Sequence, residues 1–199
     1  MATIMSFISL SLDGCYADAN SSMDWAHSND PEQAAFTASN AQGGARLVFG
    51  RVTYEMMKAF WPTPAAAQMM PEVAKQMNAM PKIVFSRSMK SADWNNTTVM
   101  SGDLLANVRK LKSDGGPDMA ILGSGSVVAQ LIEAGLLDEL QVMLAPVSLG
   151  GGKRLFDSVK GKAAWKTAET RPFKNGNVFL RYRPARSGLV YPQSAADAK

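Results

Sequence analysis

The chain reads as an α/β protein in three layers, a mostly parallel central sheet with helices on its faces and an antiparallel hairpin at its C-terminal end. Three observations carry this. Short apolar runs alternate with segments of helical period as far as residue 144. Asn175-Gly176, a strong hairpin signal, separates two late strand-like runs. The 199 residues are 46% apolar, enough for one well-buried domain, and no interior linker divides them. Strands alternating with helices bury both sheet faces, and a terminal hairpin supplies an antiparallel edge.

The elements follow in order. "TIMSFISLSL" predicts a first strand over about residues 3 to 11, closed by the turn "DGCYA". A polar loop leads to Asp30 as N-cap, Pro31 as first helical residue and Gln33 as the partner in a capping box. That helix should run to about residue 42 and stop at Gly43 and Gly44. "ARLVFG" is a strand, and "VTYEMMKAF" a helix ended by Trp61-Pro62. Met69, Met70, Val73, Met77 and Met80 recur at helical spacing, so "AQMMPEVAKQMNAM" reads as one helix ended by Pro81. "KIVFS" and "TTVM" are strands. Asp103 caps a helix carrying Leu104, Leu105, Val108 and Leu111, which Gly115-Gly116 end. "DMAILG" is a strand running into the helix "SGSVVAQLIEAG", and "DELQVMLAPV" is a further strand. "LGGGKRLF" is a glycine-rich loop, and "WKTAETRPF" with "NVFLRY" forms the hairpin. We therefore read residues 1–184 as the folded domain and 185–199 as a loose tail.

Composition narrows the function classes. A net charge of +4 with scattered basic residues argues against nucleic acid as a partner and suits a small anionic ligand. No apolar run is long enough to suggest a membrane span, and the N-terminus lacks a leader pattern, so a cytoplasmic protein is expected. One cysteine, Cys15, and one histidine, His27, predict no internal disulfide and no metal site.

In sheets of this class ligands settle at the carboxyl ends of the strands. Three loops there carry anion-binding chemistry. In the first, Gly50 allows close backbone approach, Arg51 offers a guanidinium and Thr53 a hydroxyl at a helix start. The same residues also read as a plain helix cap, and residue types alone leave both readings open. The second, Ser86-Arg87, suits a phosphate monoester, which favours a 2′-phosphorylated dinucleotide, NADP over NAD. The third, Gly123, Ser124, Gly125 and Ser126, lies between a strand and a helix and suits a pyrophosphate, although such loops also serve as tight turns. Val128 stands where the dinucleotide fingerprint has its third glycine, and no acidic residue ends the next strand, which disfavours an ordinary Rossmann domain.

Taken together, "SLDGCYA", "MDW", "FGRVTYEMMKAFW", "VFSR", "ILGSGSVVAQL" and "PVSLGGGKRLF" resemble the dihydrofolate reductase-like superfamily over about residues 3 to 183. The resemblance is strongest to the reductase domain of riboflavin biosynthesis enzymes and to uncharacterised reductases of that group. It implies the superfamily's three-layer fold and an NADPH cofactor lying across the strand ends. Gly50, Arg51 and Thr53 would hold phosphates, Ser86 and Arg87 the 2′-phosphate, and Gly123 to Ser126 the pyrophosphate.

The implied activity is transfer of hydride from NADPH to a C=N or C=O group of a small pterin- or pyrimidine-like heterocycle. Dihydrofolate reductase proper and a non-catalytic NADPH-binding module are the alternatives. Asp13 in "SLDG" would lie near the substrate ribose or nicotinamide, and Glu32, counted back from Phe36, falls at the superfamily's acidic position. Asp13, Glu32 or a bound water would supply the proton, and Trp25 and Tyr54 would line the substrate pocket. Asp13 also reads as a turn residue and Glu32 as a helix-dipole partner. Asp24 stands where the folate enzymes have proline, and Phe7 where several riboflavin reductases carry lysine, so the motifs leave the substrate open. The "LGGGKRLF" loop would close over the nicotinamide side or contribute to a dimer, and related reductases imply a homodimer.

Overall fold

The computed structural model describes residues 1–40 and 44–185. The expected helix stop at Gly43 and residues 186–199 of the expected 185–199 tail lie outside the described residues. In chain order the elements are β1 (Ile4–Leu10), β2 (Cys15–Ala17), a 3-10 turn (Asp24–Ala26), α1 (Pro31–Asn40), β3 (Arg46–Gly50), α2 (Arg51–Phe60), α3 (Pro64–Met69), α4 (Pro71–Ala79), β4 (Lys82–Phe85), β5 (Thr97–Met100), α5 (Leu104–Ser113), β6 (Met119–Leu122), α6 (Gly125–Glu133), β7 (Glu139–Leu144), β8 (Lys153–Arg154), β9 (Trp165–Pro172) and β10 (Val178–Pro184).

Eight strands form one sheet in the order β5-β4-β3-β6-β1-β7-β10-β9. The first six run parallel, and β10 pairs antiparallel with both β7 and β9. Alternate residues of each central strand face opposite ways, and both faces are covered, as a parallel sheet requires. Val48, Ile83, Ile121 and Ile8 pack with Val108 of α5 and Val128 of α6. Their neighbours Leu47, Phe49, Val84 and Ala120 pack on the other face with Tyr54 of α2 and Met77 of α4. Toward the hairpin, Phe36 of α1 sits edge-on to Phe179 at 4.7 Å and tilted to Phe173 at 5.6 Å.

The structure departs from the sequence reading in three places. The helix expected over 67–80 is two helices, because Pro71 has no N–H and disfavours a helical residue before it; Met70 adopts φ −142°, ψ 67°. The turn after β1 and the glycine-rich loop after β7 each contain a short strand, β2 and β8, which pair antiparallel in a two-stranded ribbon. Asp30 does cap α1, its carboxylate accepting the Gln33 N–H at 3.0 Å, but the capping box stays half made. The buried Gln33 side chain instead accepts from Asn175 at 2.7 Å and Asn177 at 2.8 Å, tying α1 to the hairpin turn. Among the described residues no helix is long and apolar enough to cross a membrane.

Candidate active site at the strand ends

The β3 and β6 strands are neighbours, with Val48 opposite Ile121, yet the helices that follow them leave to opposite faces. A crevice therefore opens between their carboxyl ends, where sheets of this kind receive ligands. The two helix N-termini that meet there share a feature. Neither α2, capped by Gly50, nor α6, capped by Ser124, receives a side-chain cap. Of the others, α1, α3 and α5 are capped by Asp30, Thr63 and Asp103, while α4, which starts at Pro71 away from the crevice, also has no side-chain cap. A side-chain cap contributes about 1 kcal/mol, so its absence at both helices facing one crevice leaves first-turn N–H groups available to an anion.

Ser124 has the right side chain to cap α6 and uses it elsewhere. Gly123 and Ser124 are both left-handed, with φ of 64° and 53°, and this turns the Ser124 hydroxyl across the crevice. There it accepts the Gly50 N–H at 2.9 Å. A Cβ placed on Gly123 would lie 3.5 Å from the Thr53 methyl carbon, and one on Gly50 3.4 Å from Val127. The first and third predicted loops are thus one surface. Arg51 is exposed and donates to both carboxylate oxygens of Glu55 at 3.0 Å, an i,i+4 pair whose guanidinium a phosphate would have to share.

The second loop joins through strand pairing, since Gly50 lies opposite Phe85 and Ser86 follows. Ser86 anchors itself by donating its N–H to the Met100 carbonyl at 3.1 Å. Its hydroxyl accepts the N–H groups of Ser88 and Met89 at 3.3 and 3.0 Å, curling the loop so that Arg87 projects outward. Arg87 is exposed and has no partner among the described residues.

On the other flank of the crevice the β2–β8 ribbon folds over α6. The Tyr16 ring lies on Gly125 so closely that a Cβ there would be 2.4 Å from a ring carbon. Tyr16, Ser126, Lys153, Arg154 and Ser158 contribute to the lining of a cleft of about 270 Å³ beside the first turn of α6. Burial pushes the Tyr16 phenol up from its ordinary value, keeping it neutral. Sequence reasoning missed Tyr16, Lys153 and Arg154 as site residues. The signal was a Lys-Arg pair directly after three glycines, whose partner strand is distant in sequence.

Asp13 holds the ribbon in place. Its carboxylate accepts from the Ser11 hydroxyl at 2.6 Å, the Leu149 N–H at 3.1 Å and the Gly150 N–H at 2.9 Å. Led by the Ser11 bond, these donors lower its pKa from 3.8 to about 2. Such a group is a tie between two loops and a poor proton donor at neutral pH. Glu32, in the first turn of α1, is exposed and accepts from Arg171 at 2.9 Å; that guanidinium lies 4.9 Å over the Phe36 ring and 5.4 Å over Phe173. The structure thus places the two expected acids in separate hydrogen-bonded settings, with neither free.

Trp25 lies half-buried in the 3-10 turn, and its Nε1 is buried without a hydrogen-bond partner among the described residues. Tyr54 requires a correction. It is 2% exposed, packed in the α2–α4 cluster with its hydroxyl accepting the Trp94 N–H at 3.0 Å, so it cannot line a substrate pocket. Tyrosine at the fourth helical position of α2 points to the sheet because the apolar stripe runs through it. Among the described residues no cluster of His, Cys, Asp and Glu could hold a metal ion.

Comparison with known proteins bears on the family and the fold. The Bacillus subtilis (strain 168) protein YyaP is 31% identical over 175 residues, covering 88% of this chain and 91% of its own. A Shewanella sp. PV-4 structure described as a riboflavin biosynthesis protein superposes with a TM-score of 0.72 at 23% identity, covering 94% of this chain and all of that one. Enterococcus faecalis dihydrofolate reductase, solved with NADP(H), gives a TM-score of 0.60 at 18% identity over 92% of this chain and 96% of its own. The fold is therefore dihydrofolate reductase-like. Residues 2–179 match the model of the RibD C-terminal domain, and the chain belongs to that family.

Proposed function

We propose that the protein is an NADPH-dependent reductase acting on a C=N or C=O group of a small pterin- or pyrimidine-like heterocycle. The observation that carries the reading is the pair of helices, α2 and α6, that meet at the strand-order switch with no side-chain cap on either. Amides left without a side-chain cap suit a pyrophosphate, and glycine at 50 and 123 lets the two turns approach, a Cβ at either lying 3.4 and 3.5 Å from Val127 and the Thr53 methyl. Family membership and the dihydrofolate reductase-like fold point the same way.

In this reading Gly50, Thr53 and the Gly123–Ser126 turn hold the diphosphate, with Arg51 shared between Glu55 and phosphate. Ser86 and Arg87, which has no partner among the described residues, take the 2′-phosphate. Bound NADPH supplies the hydride. The chain's own contribution is to orient: Asp13 fixes the ribbon by tying the loop after β1 to the Leu149 and Gly150 amides. Because Asp13 is held as a carboxylate, we assign the proton that follows the hydride to water.

The test is calorimetric titration of the protein and of Arg87→Ala with NADPH and NADH. A preference for NADPH that Arg87→Ala abolishes is expected; equal affinities in the parent protein would remove the 2′-phosphate assignment. Loss of NADPH absorbance is then followed with dihydrofolate and with a ribosylamino-pyrimidine. Oxidation of the pyrimidine is expected, whereas tight binding with no oxidation by any heterocycle would mark a binding module instead.

A further inference from the structure

The side chain that joins the two loops at the adenosine end lies beneath them. Trp94, 3% exposed, stacks on Phe49 at 6.1 Å and tilts against Tyr54 at 6.1 Å. Those two residues flank Gly50–Thr53 directly, one on each side. Trp94 also belongs to the β4–β5 loop, which opens with Ser86 and Arg87 and packs Met89 and Ala92 on the same cluster.

Polar contacts hold Trp94 on every side. Its backbone N–H donates to the Tyr54 hydroxyl at 3.0 Å, and its Nε1 donates to Asn78 Oδ1 at 2.7 Å. Asn78 in turn donates to the Trp61 and Ala74 carbonyls at 3.0 and 2.8 Å. Lys82, 1% exposed, places its Nζ 4.4 Å from the Trp94 ring centre and donates to the carbonyls of Asn78, Met80 and Asn95 at 3.2, 2.8 and 3.1 Å. A buried network this complete has one geometry, because any shift leaves a donor or carbonyl unpaired.

We propose that Trp94, held by Tyr54, Asn78 and Lys82, is a positioning residue that sets the Ser86-Arg87 loop against the Gly50–Thr53 loop, and thereby the preference for a 2′-phosphorylated dinucleotide. The inference rests on the reading of Arg87 given above. A network that served packing alone would lower stability without altering the ratio of NADPH to NADH affinity, since both cofactors share the pyrophosphate loops.

Tyr54→Phe deletes only the acceptor of the Trp94 N–H. It is expected to weaken NADPH binding about three- to tenfold, the worth of one buried hydrogen bond, with a smaller change for NADH. Amide exchange at Met89 should quicken in the same variant. Trp94→Phe, which keeps a ring and loses Nε1, provides the comparison should Tyr54→Phe not fold. Arg87→Ala calibrates both. If Arg87→Ala abolishes the preference while the network variants keep the full ratio and the slow exchange, the inference is overturned and the Arg87 reading stands. If Arg87→Ala leaves the preference intact, the Arg87 reading fails and the inference falls with it.

Discussion

Ser124 Oγ accepts the Gly50 N–H at 2.9 Å and so joins the start of α6 to the start of α2 across the strand-order switch. The hydroxyl that would ordinarily cap its own helix instead closes the distance between two helix ends. Neither first turn has a side-chain cap, although the Val127 N–H turns back to the Ser124 carbonyl at 2.8 Å.

Ser124→Ala should therefore cost about 1–2 kcal/mol, because the Gly50 N–H is left part-buried and unpaired. Urea midpoints measure it. Ser124→Gly loses the same bond but regains about 1 kcal/mol through its ease in the left-handed region. It should be the more stable of the two variants, yet bind NADPH as weakly as the alanine variant. Equal stability of the two would show that the left-handed turn carries no strain.

Asp13 gives a pH signature. With a pKa of about 2 in the fold against 3.8 as its ordinary value, the carboxylate contributes stability that is complete above the upper value and lost as pH falls toward the lower. Denaturant midpoints of Asp13→Asn followed through that acid range should decline less steeply than those of the parent protein. The variant should also show faster amide exchange at Leu149 and Gly150, whose N–H groups lose their acceptor oxygens' charge.

Gly125→Ala would drive a methyl into the Tyr16 ring, 2.4 Å away, at a cost of about 1–3 kcal/mol. Combining it with Tyr16→Ala should recover much of that loss, since the obstruction is removed, and a double-mutant cycle by urea unfolding reads the coupling. Gly152→Ala has no such remedy. Its φ of 134° disfavours a side chain, and the methyl would meet the Ala17 carbonyl oxygen at 2.2 Å, so the β2–β8 ribbon should come apart.

Lys82 gives a second pH signature, of opposite range. Burial lowers its pKa from 10.5 to about 8, so between these values the unfolded chain binds the proton that the folded chain has released. Its contribution to stability accordingly rises with pH across that interval. Lys82→Met should flatten this slope, and it should lower stability at neutral pH by leaving three carbonyls without their donor. Midpoints measured on both sides of the interval test the sign.

What could be read from the chain and what could not divide along the range of the interactions. Local signals carried far: the helical spacing of Val127, Val128 and Leu131, the cap at Asp103, the Asn175-Gly176 hairpin, and the order of strand and helix that makes a parallel sheet with an antiparallel edge. Even the three strand-end loops were visible, because each is a few contiguous residues after a strand. Backbone chemistry at Pro71 was also written in the sequence, though the methionine spacing around it masked the break.

Other features depend on partners far apart in the chain. Tyr54 carries the same amphipathic character whether it lines a cleft or a core, and only the position of Trp94 decides. Gln33 was free to complete a capping box until the hairpin amides of Asn175 and Asn177 claimed it. Asp13 is an acid in isolation and a fixed anion once Leu149 and Gly150 reach it, 136 and 137 residues away. The sequence by itself determined the elements, their order and the chemistry offered at each strand end, since those arise from neighbours within a turn or two. Tertiary structure alone decided which of those groups remain free, because a hydrogen-bonding group has few partners and the fold chooses them.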